Sequence, residues 1–191
     1  MGALPKEKEE RLFTYADYKD WELDEGERYE LIYGEAFAMS APNIRHQAIL
    51  MELASQLHTQ LSGKPCRVLP APCDVRLFYK EDESDDTVVQ PDILVICDKE
   101  KLGEEACHGA PDLVVEILSP SNTAIEMQRK FKLYQETGVR EYWIVDPKNN
   151  VIAVHCIKEN SIIFNAYGNK GILPVTIFPG LNVTLDKVFP E

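Results

Sequence analysis

Two short apolar runs govern what this chain can fold into: Asp92-Ile93-Leu94-Val95-Ile96-Cys97 and Leu113-Val114-Val115-Glu116-Ile117-Leu118. Neither alternates with polar residues and each is too short for a buried helix, so both read as central strands covered on both faces. Such strands need a layer above and a layer below. Amphipathic helices supply them. From Ile44 to Leu61 the apolar residues Leu50, Leu53, Ala54, Leu57 and Leu61 keep helical spacing, and Gly63 stops the run. A second helix is expected over about Asn122 to Thr137, ended by Gly138.

Shorter signals surround this centre. Tyr29 to Met39 reads as a hairpin about Tyr33-Gly34, and Arg67–Leu69 with Asp74–Tyr79 as further strand. Arg140–Val145 is a strand closed by Asp146-Pro147. Val151–Ile157 and Ser161–Tyr167 form a hairpin with Lys158-Glu159-Asn160 at its turn, and Leu181–Leu185 alternates like an edge strand. The middle of the chain thus runs helix, three strands, helix, strand. That order predicts an α/β fold with a mixed central sheet flanked by helices and extra N- and C-terminal strands. At 191 residues a single domain over 1–191 is expected, large enough to need neither disulfide nor structural metal.

A formal net charge of -12 argues, taken whole, against a protein that grips phosphate backbones, because that affinity rests on Lys and Arg. Its distribution softens the objection. Residues 1–30 hold 10 acidic and 5 basic side chains, and residues 81–86 hold 5 acidic and none basic. The acidity therefore belongs mainly to an N-terminal segment, 1–28, and to a loop, 80–90, expected to be exposed between strands. Arg129, Lys130 and Lys132 form a small basic cluster on the second helix. The charged start (Lys6-Glu7-Lys8-Glu9-Glu10-Arg11) and the lack of any run of 18 apolar residues predict a cytoplasmic protein without a membrane span. The five cysteines include no C-x-x-C pair, and Cys97 and Cys156 read as small buried side chains in a reducing compartment.

Glu116 carries the strongest chemical signal. A carboxylate inside an apolar strand is costly unless it is paired, protonated or bound to a cation. Asp92 opens the other apolar run, so the two carboxylates meet at the strand ends if the strands are neighbours. Two hard oxygen ligands with room for waters and a phosphate oxygen suit Mg²⁺ or Mn²⁺. Such an ion lowers the pKa of a bound water and stabilises charge on a phosphoryl centre. Asp112 competes for the first position, but four residues of one strand hold it about 13 Å from Glu116, too far to share an ion. Each residue also has a plain structural reading: Asp92 as a turn residue, Glu116 in a structural ion pair, Lys130 as a solvated helix residue. Their occurrence together, in this order, favours the functional one.

Three blocks resemble the Uma-type endonuclease family. They are Pro91-Asp92, the stretch Pro111-Asp112-Leu113-Val114-Val115-Glu116-Ile117-Leu118-Ser119-Pro120-Ser121, and Gly138-Val139-Arg140-Glu141-Tyr142-Trp143-Ile144-Val145-Asp146-Pro147. Tyr29-Glu30-Leu31-Ile32-Tyr33-Gly34-Glu35 and Arg45-His46-Gln47 match as well, so the resemblance runs from about Phe13 to Phe189. It implies the PD-(D/E)XK superfamily with its restriction-endonuclease-like core, and Asp92 and Glu116 as metal ligands. The superfamily lysine, two residues after the acid, is replaced here by Leu118. The resemblance implies that the following helix supplies it as Lys130, where it would orient the attacking water or stabilise the phosphate electrostatically. It also makes Glu30, and less directly Glu35, candidates to complete the acidic cluster.

Glu126 stands where the family carries Asp. It lies four residues before Lys130, and Thr123-x-x-Glu126 fits a capping box. His46 shares a helix face with Leu50 and Leu53, so it points inward as a core residue, a ligand, or a hydrogen-bond partner of a ligand. Two functions from different classes follow. One is a divalent-metal-dependent endonuclease acting on DNA, with Asp92, Glu116 and Lys130 meeting in one cleft. The other is a non-catalytic binding or assembly module that keeps the nuclease fold. The separation of Lys130 from Glu116 discriminates them, with about 4–6 Å as the range of strong coupling. An RNA substrate ranks last, because no motif of stacked aromatics is visible. Exposed-edge logic at the Val151–Tyr167 hairpin and the C-terminal strand allows a homodimer.

Overall fold

The computed structural model describes residues 12–190 apart from 26, 121 and 160. Residues 1–11 of the acidic segment, Ser121 of the Ser-Pro-Ser block and Asn160 of the hairpin turn lie outside the described residues. In chain order the elements begin α1 (Tyr15–Tyr18), β1 (Tyr29–Ile32), β2 (Glu35–Ala38), α2 (Ile44–Leu61), β3 (Arg67–Pro70) and β4 (Asp74–Arg76). There follow β5 (Val88–Val89), β6 (Ile93–Ile96), β7 (Ala106–His108), β8 (Leu113–Ile117), α3 (Ala124–Thr137) and β9 (Glu141–Asp146). The chain closes with β10 (Val151–Lys158), β11 (Ser161–Tyr167), β12 (Ile172–Pro174) and β13 (Asn182–Thr184).

The two apolar runs become β6 and β8, interior neighbours in a six-stranded mixed sheet of order β11-β10-β9-β8-β6-β3. They pair antiparallel with Ile93 opposite Val115, while β8 and β9 run parallel. Period-two geometry sends alternate side chains to opposite faces. Leu113, Val115 and Ile117 pack with Ile49, Leu53 and Leu57 of α2 on one face. Val114 and Leu94 pack on the other with Leu133 and Tyr134 of α3. All of these core side chains are buried, which accounts for the unbroken hydrophobicity of the runs.

Both helices sit where the spacing placed them, and each has a defined start. Asn43 caps α2 by accepting the His46 N–H at 2.9 Å. Thr123 and Glu126 form the expected capping box at the start of α3, and Gly138 ends it at φ 90°, a conformation glycine adopts without steric cost. These ends set the register of α3, and so which of its residues face β8.

The structure revises several expectations. The strand region after α2 divides between two sheets. β3 joins the main sheet beside β6, whereas β4 lies between β5 and β7 in a second, five-stranded sheet of order β2-β1-β5-β4-β7. Pro70 and Pro72 lack the N–H that a continuing ladder needs, so the strand breaks there. β13 is no edge of the main sheet. It pairs with β12 in a separate ribbon that rests on α2, where Gln56 accepts the Thr184 N–H at 2.7 Å and donates to its carbonyl at 3.0 Å. α1, β5, β7 and β12 escape sequence reading because two to four residues are too few to display a period. Cys97, expected as an unpaired buried side chain, forms a disulfide with Cys66 across the end of the β3–β6 pair. Cys156 is buried and unpaired, as expected. Among the described residues no helix is long and apolar enough to cross a membrane.

The acidic loop is exposed only in part. Glu81 and Asp82 face solvent, but Asp85 is 1% exposed and pairs with the buried guanidinium of Arg76. Tyr15 and Tyr79 cover that guanidinium, at 3.8 and 4.5 Å from the ring centroids. Ion pair and rings tie α1 and the loop to β4 in the sheet that carries β1. Asp85→Ala would leave the Arg76 charge buried and unpaired, and should cost about 3–5 kcal/mol of unfolding free energy in urea denaturation. A loss below about 1 kcal/mol would mean that solvent already shares the Arg76 charge.

Candidate active site

Asp92 precedes β6 by one residue and Glu116 lies near the end of β8, so the Ile93–Val115 register carried one step further sets them side by side. Both belong to the face that α3 covers. Asp92 is anchored: its Oδ2 accepts the Ile117 N–H at 2.7 Å and lies 3.3 Å from Nε2 of His46, at the start of α2. Glu116 is 8% exposed. Its Oε1 accepts from Lys130 Nζ at 2.9 Å and from the Tyr134 hydroxyl at 2.6 Å, both offered one turn apart by α3.

The third carboxylate arrives from the other sheet. Glu30 on β1 is 5% exposed and points away from Leu31, which fills a small core with Tyr15 and Val88. Its Oε1 accepts from Lys130 at 2.8 Å and from the Gln90 N–H at 2.9 Å. One ammonium is therefore shared by two carboxylates from two different sheets. Burial works against the Lys130 charge, but Glu116 and Glu30 more than offset it and hold its pKa above the ordinary lysine range. For Glu116 burial dominates. Reinforced by the nearby charges of Glu30 and Asp92, it pushes the carboxyl up to about 7 although Lys130 and Tyr134 pull it down.

These groups form the floor of a cleft of about 200 Å³, lined also by Arg28, Phe37, Ser40, Ser119, Asn122 and Arg129. Of the residues singled out from the sequence, Asp92, Glu116, Lys130, Glu30 and His46 meet here. Glu35 does not join them: it is exposed and pairs with Arg129 at 3.6 Å. Glu126 lines the rim, but its carboxylate caps α3 by accepting the Thr123 N–H at 2.7 Å, while Lys130 turns to Glu30 and Glu116 instead. Lys132 faces away from the cleft and pairs with Glu136, so Arg129 and Lys130 alone of the expected basic cluster reach it. Asp112 accepts the Cys97 N–H at 2.8 Å and binds Arg140 at 2.9 Å.

Sequence reasoning missed Tyr134 and Arg28. Tyr134 follows Lys130 by four residues on the same helical face, a spacing that could have drawn attention to it. Nothing local marks Arg28.

The donor chemistry suits a hard divalent cation. Asp92, Glu116 and Glu30 each tether one oxygen to the protein, and the second oxygen of each takes part in none of those bonds. Asp92 and Glu116 would hold the ion, with Glu30 tied to the lysine. Among the described residues no three His, Cys, Asp or Glu side chains are drawn together at metal-ligand spacing, so such an ion would complete its shell with waters.

Residues 15–186 match the family Uma2, described as putative restriction endonuclease, and the chain belongs to that family. Two uncharacterized proteins of Synechocystis sp. (strain ATCC 27184 / PCC 6803 / Kazusa) are each 25% identical to it. The first aligns over 71% of this chain and 68% of its own length, the second over 71% and 76%. The crystal structure of a putative nuclease of the family DUF820 from Anabaena variabilis ATCC 29413 superposes with a TM-score of 0.72 at 20% identity, covering 93% of this chain and 97% of that one. The fold is therefore restriction-endonuclease-like.

The raised carboxyl of Glu116 has a measurable consequence. Its pKa in the folded chain lies above the unfolded value of about 4.5, so its protonated form adds stability that is complete below that pH and lost as pH climbs through about 7. In metal-free buffer the melting temperature of the wild type, relative to that of Glu116→Gln, should fall by roughly 5 °C between pH 5 and pH 8. A constant difference across that range would show that Glu116 titrates like an exposed carboxylate.

Proposed function

We propose that this chain is a divalent-metal-dependent endonuclease that hydrolyses DNA phosphodiester bonds, with Asp92 and Glu116 as ligands of Mg²⁺ or Mn²⁺ and Lys130 as its electrostatic catalyst. The observation that carries the reading is the position of Lys130 Nζ, 2.9 Å from Glu116 and 2.8 Å from Glu30. It lies well inside the range of strong coupling, which supports Lys130 in the part that Leu118 cannot play.

When bound, the cation supplies an acidified water and neutralises charge on the phosphoryl oxygens. The side chains do the rest. His46 and the Ile117 N–H hold Asp92 in place, and Glu30 and Glu116 hold the ammonium at the cleft floor. An ammonium has three N–H donors. Two bind the carboxylates, which leaves one for the attacking water or a non-bridging phosphate oxygen. A donor aimed at developing charge in such a partly dry site contributes most in the transition state. Arg28 and Arg129 on the cleft wall offer charge to the flanking phosphates, and the surrounding acidity keeps that grip weak and salt-sensitive.

Leu118 and the acidic balance are what favour the other reading, a non-catalytic module. Against it stands energetics: a buried lysine with two carboxylates is often no more stable than apolar side chains of the same volume. A chain with no use for those charges would gain by losing them. A homodimer joined along the outer edge of β11 and a cytoplasmic location, the latter against the Cys66–Cys97 disulfide that a reducing compartment rarely keeps, complete the proposal.

The test is cleavage of supercoiled plasmid and of single-stranded DNA with Mg²⁺ or Mn²⁺, by wild type, Glu116→Ala and Lys130→Ala. Wild type should nick both substrates and lose all activity in EDTA, and each variant should fall by about 100-fold or more. Equal trace activity in all three proteins would mark contamination and end the nuclease reading.

A further inference from the structure

The geometry points to Tyr134 as a positioning residue for Glu116: with Lys130 it fixes one carboxylate oxygen so that the other is presented to the cleft in a single orientation. This inference rests on the metal-dependent reading of the same site and gives it a part that lies outside the stretches carrying the family resemblance.

Tyr134 is fully buried on α3, and its hydroxyl donates at 2.6 Å to Oε1 of Glu116. Lys130 donates to that same oxygen at 2.9 Å. Two donors of different chemistry, one turn apart on one helix, therefore converge on Oε1 and leave Oε2 outside both bonds. A glutamate has three side-chain torsions, and with a single anchor its carboxylate can swing. Two anchors on one oxygen hold the carboxylate plane. The ring of Tyr134 is itself held, with Tyr142 at 4.9 Å between centroids. Its backbone is held as well: its carbonyl accepts from Gly138 and Val139 at the end of α3. The hydroxyl thus reaches Glu116 from a rigid base, the arrangement by which outer partners orient metal-binding side chains.

A purely structural hydroxyl, present only because a buried tyrosine needs an acceptor, would leave metal affinity untouched. The full-length chain is compared with Tyr134→Phe, which keeps the ring. Two readouts are used: Mn²⁺ affinity by electron paramagnetic resonance, and the ¹³C signal of the Glu116 carboxyl in metal-free protein, assigned through Glu116→Gln. Mn²⁺ affinity should drop about tenfold or more. The KM for DNA should stay the same, and kcat at limiting Mn²⁺ should fall and recover as Mn²⁺ is raised. The Glu116 signal should shift or broaden without any metal. If Tyr134→Phe does not fold, 4-fluorophenylalanine at position 134 replaces it, filling the para position with no donor. Unchanged affinity overturns the inference whether or not the Glu116 signal moves, because a structural hydroxyl would also shift that signal when lost. If wild type itself binds no Mn²⁺, the metal-dependent function fails and the inference with it, an outcome distinct from a wild type that binds and a Tyr134→Phe variant that binds equally well.

Discussion

The ammonium of Lys130 ties the six-stranded and the five-stranded sheet to one another at the site. Glu116 belongs to the six-stranded sheet and Glu30 to the five-stranded one, and the same nitrogen bonds to both. Remove that charge and two buried carboxylates face each other with only the Gln90 N–H and the Tyr134 hydroxyl as donors among the described residues, a situation far more costly than a lost surface ion pair. This shared contact, with the apolar core that Ile32 of β1 shares with Leu133 and Tyr134 of α3, sets β1 against α3 and fixes the orientation of Glu116.

Rigid elements deliver each participant. The pairing of β6 with β8 sets Asp92 beside Glu116, a consequence of ladder register that no loop can disturb. The capping box at Thr123 and the glycine at 138 fix where α3 starts and stops, and Lys130 and Tyr134 follow from that one turn apart. On the far side, the Arg76–Asp85 pair under its two tyrosine rings ties down the sheet from which Glu30 projects. A site built on strands and a capped helix is held more tightly than one built on loops. Arg28 and Arg129 stand on the cleft wall, Arg129 held by Glu35 at 3.6 Å and by the ring of Phe37 at 4.6 Å.

The acidic character of the chain takes on a different meaning beside this geometry. Acidity at the cleft floor is partly neutralised by Lys130 and would be neutralised further by a divalent ion. Asp85, counted with an exposed acidic loop, turns out to be spent on a buried arginine. The cleft wall itself carries two arginines, Arg28 and Arg129.

Local pattern was enough to read the central strands, both long helices and the oddity of Glu116, because each is a matter of periodicity or composition within a few residues. The same holds for the capping role of Glu126 and for the β10–β11 hairpin. Local pattern could not divide the strands between two sheets, since a three-residue strand such as β4 looks alike in either. Nor could it choose among carboxylates. Glu30 and Glu35 are both ordinary strand carboxylates of one short hairpin, and packing sends Glu30 to a lysine 100 residues away and leaves Glu35 in solvent. The Cys66–Cys97 bond, the burial of Asp85 and the hydroxyl of Tyr134 on Glu116 are likewise contacts between distant segments. The sequence by itself determined the elements and the chemistry available on them. Tertiary structure alone decided which charges share a buried space, because desolvation and Coulomb attraction act on distances in space and not along the chain.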